Sequence, residues 1–198
     1  MKSLRSSALL LSTLLALLAC AGSGEWLNSD RIERRFGSYG VDVLEDNGER
    51  RKLSLYSSEA SGKVTRTYAI VDYVGPPKAS YTDVHERIRA GGSLGSSFRR
   101  AGWTVGKQHL FIGELEVPPG YREIGELMQI ELPATLATHH YLLTISRDER
   151  SYNYATVTEI HHPAYLTGAA LREIYGEILF DDSNRDSIHD FIGAPRGN

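Results

Sequence analysis

Between residues 41 and 160 the chain reads as short segments alternating apolar and polar residues, joined mostly by turns of a few residues. This feature limits the fold more than any other, because strands joined by such turns must pair antiparallel with their neighbours. Asp46-Asn47-Gly48 separates 41–44 from 52–56, and Asn-Gly supplies two residues that accept the positive φ of a hairpin turn. A small polar turn over 57–63 precedes 64–74, whose continuous apolar middle stops at Gly75-Pro76-Pro77. The run 104–117 ends at Pro118-Pro119-Gly120, with Leu110, Ile112, Leu115 and Val117 expected to point inward around a bulge at Gly113. Met128, Ile130 and Leu132 alternate with Gln129 and Glu131, which predicts a further strand. The segments 141–146 and 152–160 form a hairpin about Arg147-Asp148-Glu149-Arg150.

Helical spacing interrupts this pattern. Residues 26–36 fit a turn or two of helix, capped by Asn28 or Ser29. Ser80 or Thr82 caps a helix with Val84 and Ile88 on one face and Asp83 paired with Arg87 at i,i+4, ended by Gly91. Ser93 caps a shorter one, in which Leu94, Phe98 and Ala101 share a face. Thr167 caps the clearest helix, with Leu171, Ile174, Tyr175, Ile178 and Leu179 as its apolar stripe and Gly176 inside it. The predicted fold class is α+β, a mainly antiparallel sheet of about seven strands with helices packed on one face. One domain spans 38–180, followed by a polar tail over 181–198.

The N-terminus reads differently. Lys2 and Arg5 precede an eleven-residue apolar run over 8–18. As a helix this run rises about 16 Å, half the thickness of a hydrocarbon core, so it fits a cleaved secretory signal over 1–19 and not a spanning helix. Leu17-Leu18-Ala19-Cys20 follows, and Cys20 is the only cysteine in the chain. This stretch resembles the lipobox of bacterial lipoproteins. The resemblance implies cleavage before Cys20, thioether lipidation of its sulfur and N-acylation of the new amine. Ala21 in the next position implies sorting to the outer membrane facing the periplasm; the inner membrane and the cell surface remain alternatives. Residues 20–37 then serve as lipid anchor and tether. Without Lys2 and Arg5 the chain has 20 Lys and Arg against 25 Asp and Glu, a net charge of −5, which disfavours nucleic acid as a partner. No disulfide can form within the mature part, so packing alone must stabilise it.

Several residue groups suggest chemistry. Gly91-Gly92-Ser93-Leu94-Gly95 matches G-x-S-x-G, but a nucleophile elbow needs a strand before the serine, and 84–89 has helical spacing. The amides of Ser93, Leu94, Gly95 and Ser96 at a helix start define a candidate anion site. His139-His140 and His161-His162 flank the last hairpin. Pairing Ser146 with Ser151 puts Thr138 opposite Glu159, and makes His140 and Glu159 diagonal neighbours on one face. His140, Glu159 and His161 are therefore the candidate metal ligands, with His161 needing a bend to reach the others. A His140–Glu159 hydrogen-bonded pair is a second reading of the same residues. Asp182-Ser183-Asn184-Arg185-Asp186 imitates the start of a calcium loop, but Ser187 and Gly193 stand where glycine and a bidentate glutamate belong. Tyr68, Tyr73, Tyr141, Tyr152 and Tyr154 fall in strands and serve as core or as an exposed binding face.

The expected function is a lipid-anchored envelope module, non-enzymatic and without cofactor, that binds or scaffolds an envelope-protein, cell-wall or small-molecule partner. The alternative is a hydrolase or metal-dependent enzyme built on Ser93 or on His140, Glu159 and His161.

Overall fold

A computed structural model describes residues 27–176. The signal segment, Cys20, the calcium-like loop and the 181–198 tail lie outside these residues. Within them run, in chain order, α1 (Asn28–Phe36), β1 (Gly40–Asp46), β2 (Arg50–Glu59), β3 (Gly62–Tyr73), α2 (Thr82–Arg89), α3 (Leu94–Arg100), β4 (Thr104–Val117), α4 (Arg122–Met128), β5 (Ala134–Arg147), β6 (Arg150–His161) and α5 (Gly168–Tyr175).

The turns behave as their chemistry dictates. Asp46 Oδ1 accepts from the Gly48 amide at 3.0 Å, and Asn47 Oδ1 accepts from Arg50 N at 2.8 Å, while Gly48 takes φ +91°. These side-chain acceptors mimic a backbone turn and close the β1–β2 hairpin. Two antiparallel three-stranded meanders result, β1-β2-β3 and β4-β5-β6. They join through their last strands into one six-stranded sheet of order β1-β2-β3-β6-β5-β4. The fold is thus α+β with a single antiparallel sheet, one strand fewer than the alternation suggests.

The missing strand is α4. Ile124 and Met128, one helical turn apart, pack with Tyr68, Ile70, Leu136 and Ile160. Gln129 then ends the helix with φ 55°, and its side chain donates to Lys63 O at 3.1 Å. Met128, Ile130 and Leu132 therefore alternate across a helix end rather than along a strand. α4 lies on the opposite face of the sheet from the other four helices. Those four contribute Ile32, Val84, Ile88, Phe98 and Leu171 to the main core, against Leu53, Ala69, Val71, Leu143 and Val157 of the sheet.

α1 belongs to this core. Ile32 is fully buried, and Asn28 is buried with its side chain turned into the sheet, so the cap position falls to Leu27 and no side chain caps the helix. The folded unit therefore begins about ten residues before 38. At the other end Thr167 Oγ1 accepts from Ala170 N at 3.2 Å, as the sequence predicts. Gly176, expected inside α5, is its cap, with φ 84°. α2 and α3 keep their expected buried faces, but neither Ser80, Thr82 nor Ser93 provides a side-chain cap.

Two bulges decide which side chains share a face. In β4 the extra residue is Leu110, not Gly113, so His109 pairs with Tyr141 and Phe111 with His140. In β6 the extra residue is Tyr154: Thr144 pairs with Asn153, but Leu143 pairs with Ala155. The aromatic cluster explains this second bulge. Tyr154 is buried edge-on against Phe98 at 4.7 Å and Tyr81 at 5.7 Å, and its hydroxyl meets His85 Nδ1 at 2.8 Å.

Candidate functional site

The Tyr154 bulge moves the register by one beyond residue 154. His139, not Thr138, lies opposite Glu159, and His140 lies opposite Thr158 instead of Val157, meeting the Thr158 hydroxyl at 2.9 Å on the other face of the sheet. His140, Glu159 and His161 are therefore not brought together, and neither is the His140–Glu159 pair. Glu159 and His161 share with His139 the face that carries the main core. Among the described residues no group of three or more His, Cys, Asp or Glu is arranged to hold a metal ion.

What forms instead is a chain of buried hydrogen bonds. Tyr165 donates to Asn28 Oδ1 at 2.6 Å. Asn28 Nδ2 donates to Thr67 Oγ1 at 3.0 Å and to Glu159 Oε1 at 3.2 Å. The Thr67 hydroxyl is also hydrogen-bonded to His161 Nδ1 at 2.9 Å, and the buried His161 Nε2 has no hydrogen-bond partner among the described residues. His139 Nδ1 faces Glu159 Oε2 at 3.7 Å, too long for a hydrogen bond. With its proton there, His139 accepts through Nε2 from His109 Nδ1 at 2.8 Å.

Burial sets the charge states. It pushes His139 down to about 4 and His161 down to about 3, although the Glu159 carboxylate opposes both shifts. Burial alone would raise the Glu159 carboxyl, but the approach of His139 and the positive charge of Lys107 outweigh it and hold the group below the usual carboxylate range. Near neutral pH the cluster is a carboxylate between two neutral imidazoles.

Glu159 faces a cavity. The sheet supplies one wall through Leu53, Leu55, Val71, Leu143 and Val157; the start of α1, with Leu27, Asn28 and Ser29, and Ser93, Leu94 and Gly95 at the start of α3 supply the other. The volume swept by the centre of a water-sized sphere is about 70 Å³. One water needs about 10–15 Å³ on that measure, so the space suits several waters or a short aliphatic chain. Tyr39 and Lys107 complete the polar part of its lining. Burial pushes the Tyr39 phenol up to about 12, so it remains a hydroxyl throughout the physiological range. The Lys107 ammonium lies over the rings of Tyr141 at 4.7 Å and Tyr175 at 5.1 Å.

The G-x-S-x-G segment connects α2 to α3, with no strand before Ser93, and among the described residues no histidine is hydrogen-bonded to Ser93. Of the candidate anion site, Ser93, Leu94 and Gly95 form cavity wall, and α3 is only seven residues long. Arg99 and Arg100 are exposed. Tyr68, Tyr141 and Tyr154 are buried in the two cores and Tyr73 and Tyr152 pack against the main one, so none forms an open aromatic face.

The sequence did not mark Asn28, Thr67, His139 or Lys107 as site residues: Asn28 reads there as a helix cap and His139 only as one of a flanking pair. The signal for His139 was its place in the flanking pair, and the bulge hid it. No protein-family model matches the chain, and no curated protein matches it.

Proposed function

We propose that the chain is a lipid-anchored envelope lipoprotein whose folded domain is a non-catalytic binding module for a small, partly apolar ligand. The observation that carries this reading is the cavity between the sheet and the starts of α1 and α3. It is an apolar-walled space with a few convergent polar groups, the usual make-up of a small-molecule site. Ser93 follows a helix and not the strand that a nucleophile elbow needs, which favours binding over hydrolysis.

The anchor rests on Cys20 and its lipobox. Because α1 is part of the core, only residues 21–27 separate Cys20 from the domain, a span of at most about 25 Å when fully extended. Such a domain works at the membrane surface facing the periplasm, with the outer membrane the proposed location. Among the described residues no helix is long and apolar enough to cross a membrane. Replacing Cys20→Ser is expected to abolish incorporation of labelled palmitate and move the protein from the membrane to the soluble fraction. Retention with membranes without lipid label would remove the anchor from this account.

Gly95 offers a test of the cavity. A Cβ built there would lie 2.5 Å from Leu27 Cδ2, the end of a flexible side chain that also lines the space. Glycine inside a helix costs about 1 kcal/mol relative to alanine, so a larger residue at this position need not destabilise α3. Gly95→Leu is expected to weaken calorimetric binding of n-hexanol at least tenfold while leaving the melting temperature within a few degrees. Unchanged affinity would show that the cavity is not where the alcohol binds.

A further inference from the structure

We infer that the ligand is an organic cation, an ammonium group on a short aliphatic body, seated with its nitrogen against Glu159 Oε2. The inference rests on the cavity being a ligand site and names the chemistry it selects.

A carboxylate offers about four lone-pair positions to donors. Glu159 is 5% exposed and lines the cavity. Its Oε1 is bonded to Asn28, whereas no hydrogen bond from the described residues reaches Oε2, and His139 Nδ1 stands off from it at 3.7 Å. The neighbouring donors are committed elsewhere. Asn28 Nδ2 divides its two hydrogens between Thr67 and Glu159 Oε1, and the Thr67 hydroxyl is hydrogen-bonded to His161. The result is a buried acceptor with an unused oxygen at one end of an apolar space.

An ammonium brings three donors and the opposite charge, and it places its aliphatic chain along Leu53, Leu55, Val71, Leu143 and Val157. An alcohol brings one donor without the charge. A carboxylate at Oε2 would set like charges together in a region of low dielectric, where repulsion is least screened, while Lys107, the cation of the lining, has its ammonium over the rings of Tyr141 and Tyr175.

The test is calorimetric titration of the full chain held in phosphatidylcholine nanodiscs near pH 7, with n-hexylamine, n-hexanol and hexanoate and with empty discs subtracted. The expected result is that hexylamine binds at least tenfold more tightly than hexanol and that hexanoate gives no detectable binding. Glu159→Gln should bring hexylamine down to the affinity that the same variant shows for hexanol. Hexanol binding as tightly as hexylamine, hexanoate matching either, or a preference for the amine that survives in Glu159→Gln would overturn the cation inference and leave the cavity as a ligand site. Binding of none of the three would overturn both. The wild-type series decides the inference by itself if Glu159→Gln does not fold.

Discussion

Phe98→Ala is expected to destabilise the domain by about 3–5 kcal/mol, the range for truncating a buried phenylalanine to alanine. For a domain of this size that corresponds to a fall in melting temperature of roughly 6–20 °C. Phe98 is fully buried, and its ring meets Tyr154 at 4.7 Å, Tyr81 at 6.1 Å and Trp103 at 6.2 Å, all edge-on. The same ring is the buried anchor of α3, whose first residues form one wall of the cavity. The substitution should therefore weaken hexanol binding as well as stability, in contrast to Gly95→Leu, which should affect binding alone. Thermal melts followed by circular dichroism, with parallel titrations, check both effects. A loss below about 1 kcal/mol would mean that the aromatic cluster does not hold α3 in place.

The second large effect is acid sensitivity. His139 and His161 are held neutral by burial, at about 4 and about 3, whereas in the unfolded chain they return to the ordinary range near 6.5. Above pH 6.5 neither state binds the protons and these groups contribute no pH dependence. As the pH falls below 6.5 the unfolded chain takes up protons that the native state refuses, and stability declines until the native pKa values are reached. Each histidine contributes a slope of up to about 1.4 kcal/mol per pH unit. His85, His140 and His162 are shifted in the same direction by burial and add to the decline. Glu159, with a lowered native value, stabilises above the ordinary carboxylate pKa, and this contribution is lost as the pH falls below that range. Chemical denaturation at half-unit steps from pH 7.5 to 5 should show a plateau and then a fall below 6.5. His139→Gln and His161→Gln should each reduce the slope. Stability independent of pH across this window would mean that the buried histidines are charged or solvated in the native state.

Most of the fold was legible because it is written in local chemistry. Asn47-Gly48 closes its hairpin, Arg147 to Arg150 closes another, and Thr167 caps α5, each through groups within a few residues. The misreadings share one cause: local pattern overruled by distant packing. Met128, Ile130 and Leu132 alternate as a strand would, but Ile124 and Met128 bury together against Ile160 and Tyr68. Asn28 looked like a cap and instead reaches across the molecule to Thr67 and Glu159.

The candidate site was half legible. Pairing Ser146 with Ser151 is correct, and counting back from it would have reached the right partners but for one residue. Tyr154 leaves the ladder to join an aromatic cluster assembled by α2 and α3, and no periodicity within β6 announces that. The slip exchanges His139 for His140, turning a proposed metal site into a carboxylate beside two neutral imidazoles. The cavity was not legible at all, since its walls come from three places in the chain: α1, the α2–α3 connection and the sheet.

The claim that carries the account is that the space beside Glu159 is where a ligand binds, and methyl-resolved NMR addresses it directly. In a titration of the full chain in nanodiscs with n-hexanol and then n-hexylamine, saturable shifts are predicted for the methyls of Leu27, Leu94, Leu143 and Val157, absent in Gly95→Leu. Saturable shifts confined to methyls outside the cavity, such as those of Leu115 or Leu136 on the opposite face, or none at all, would contradict it.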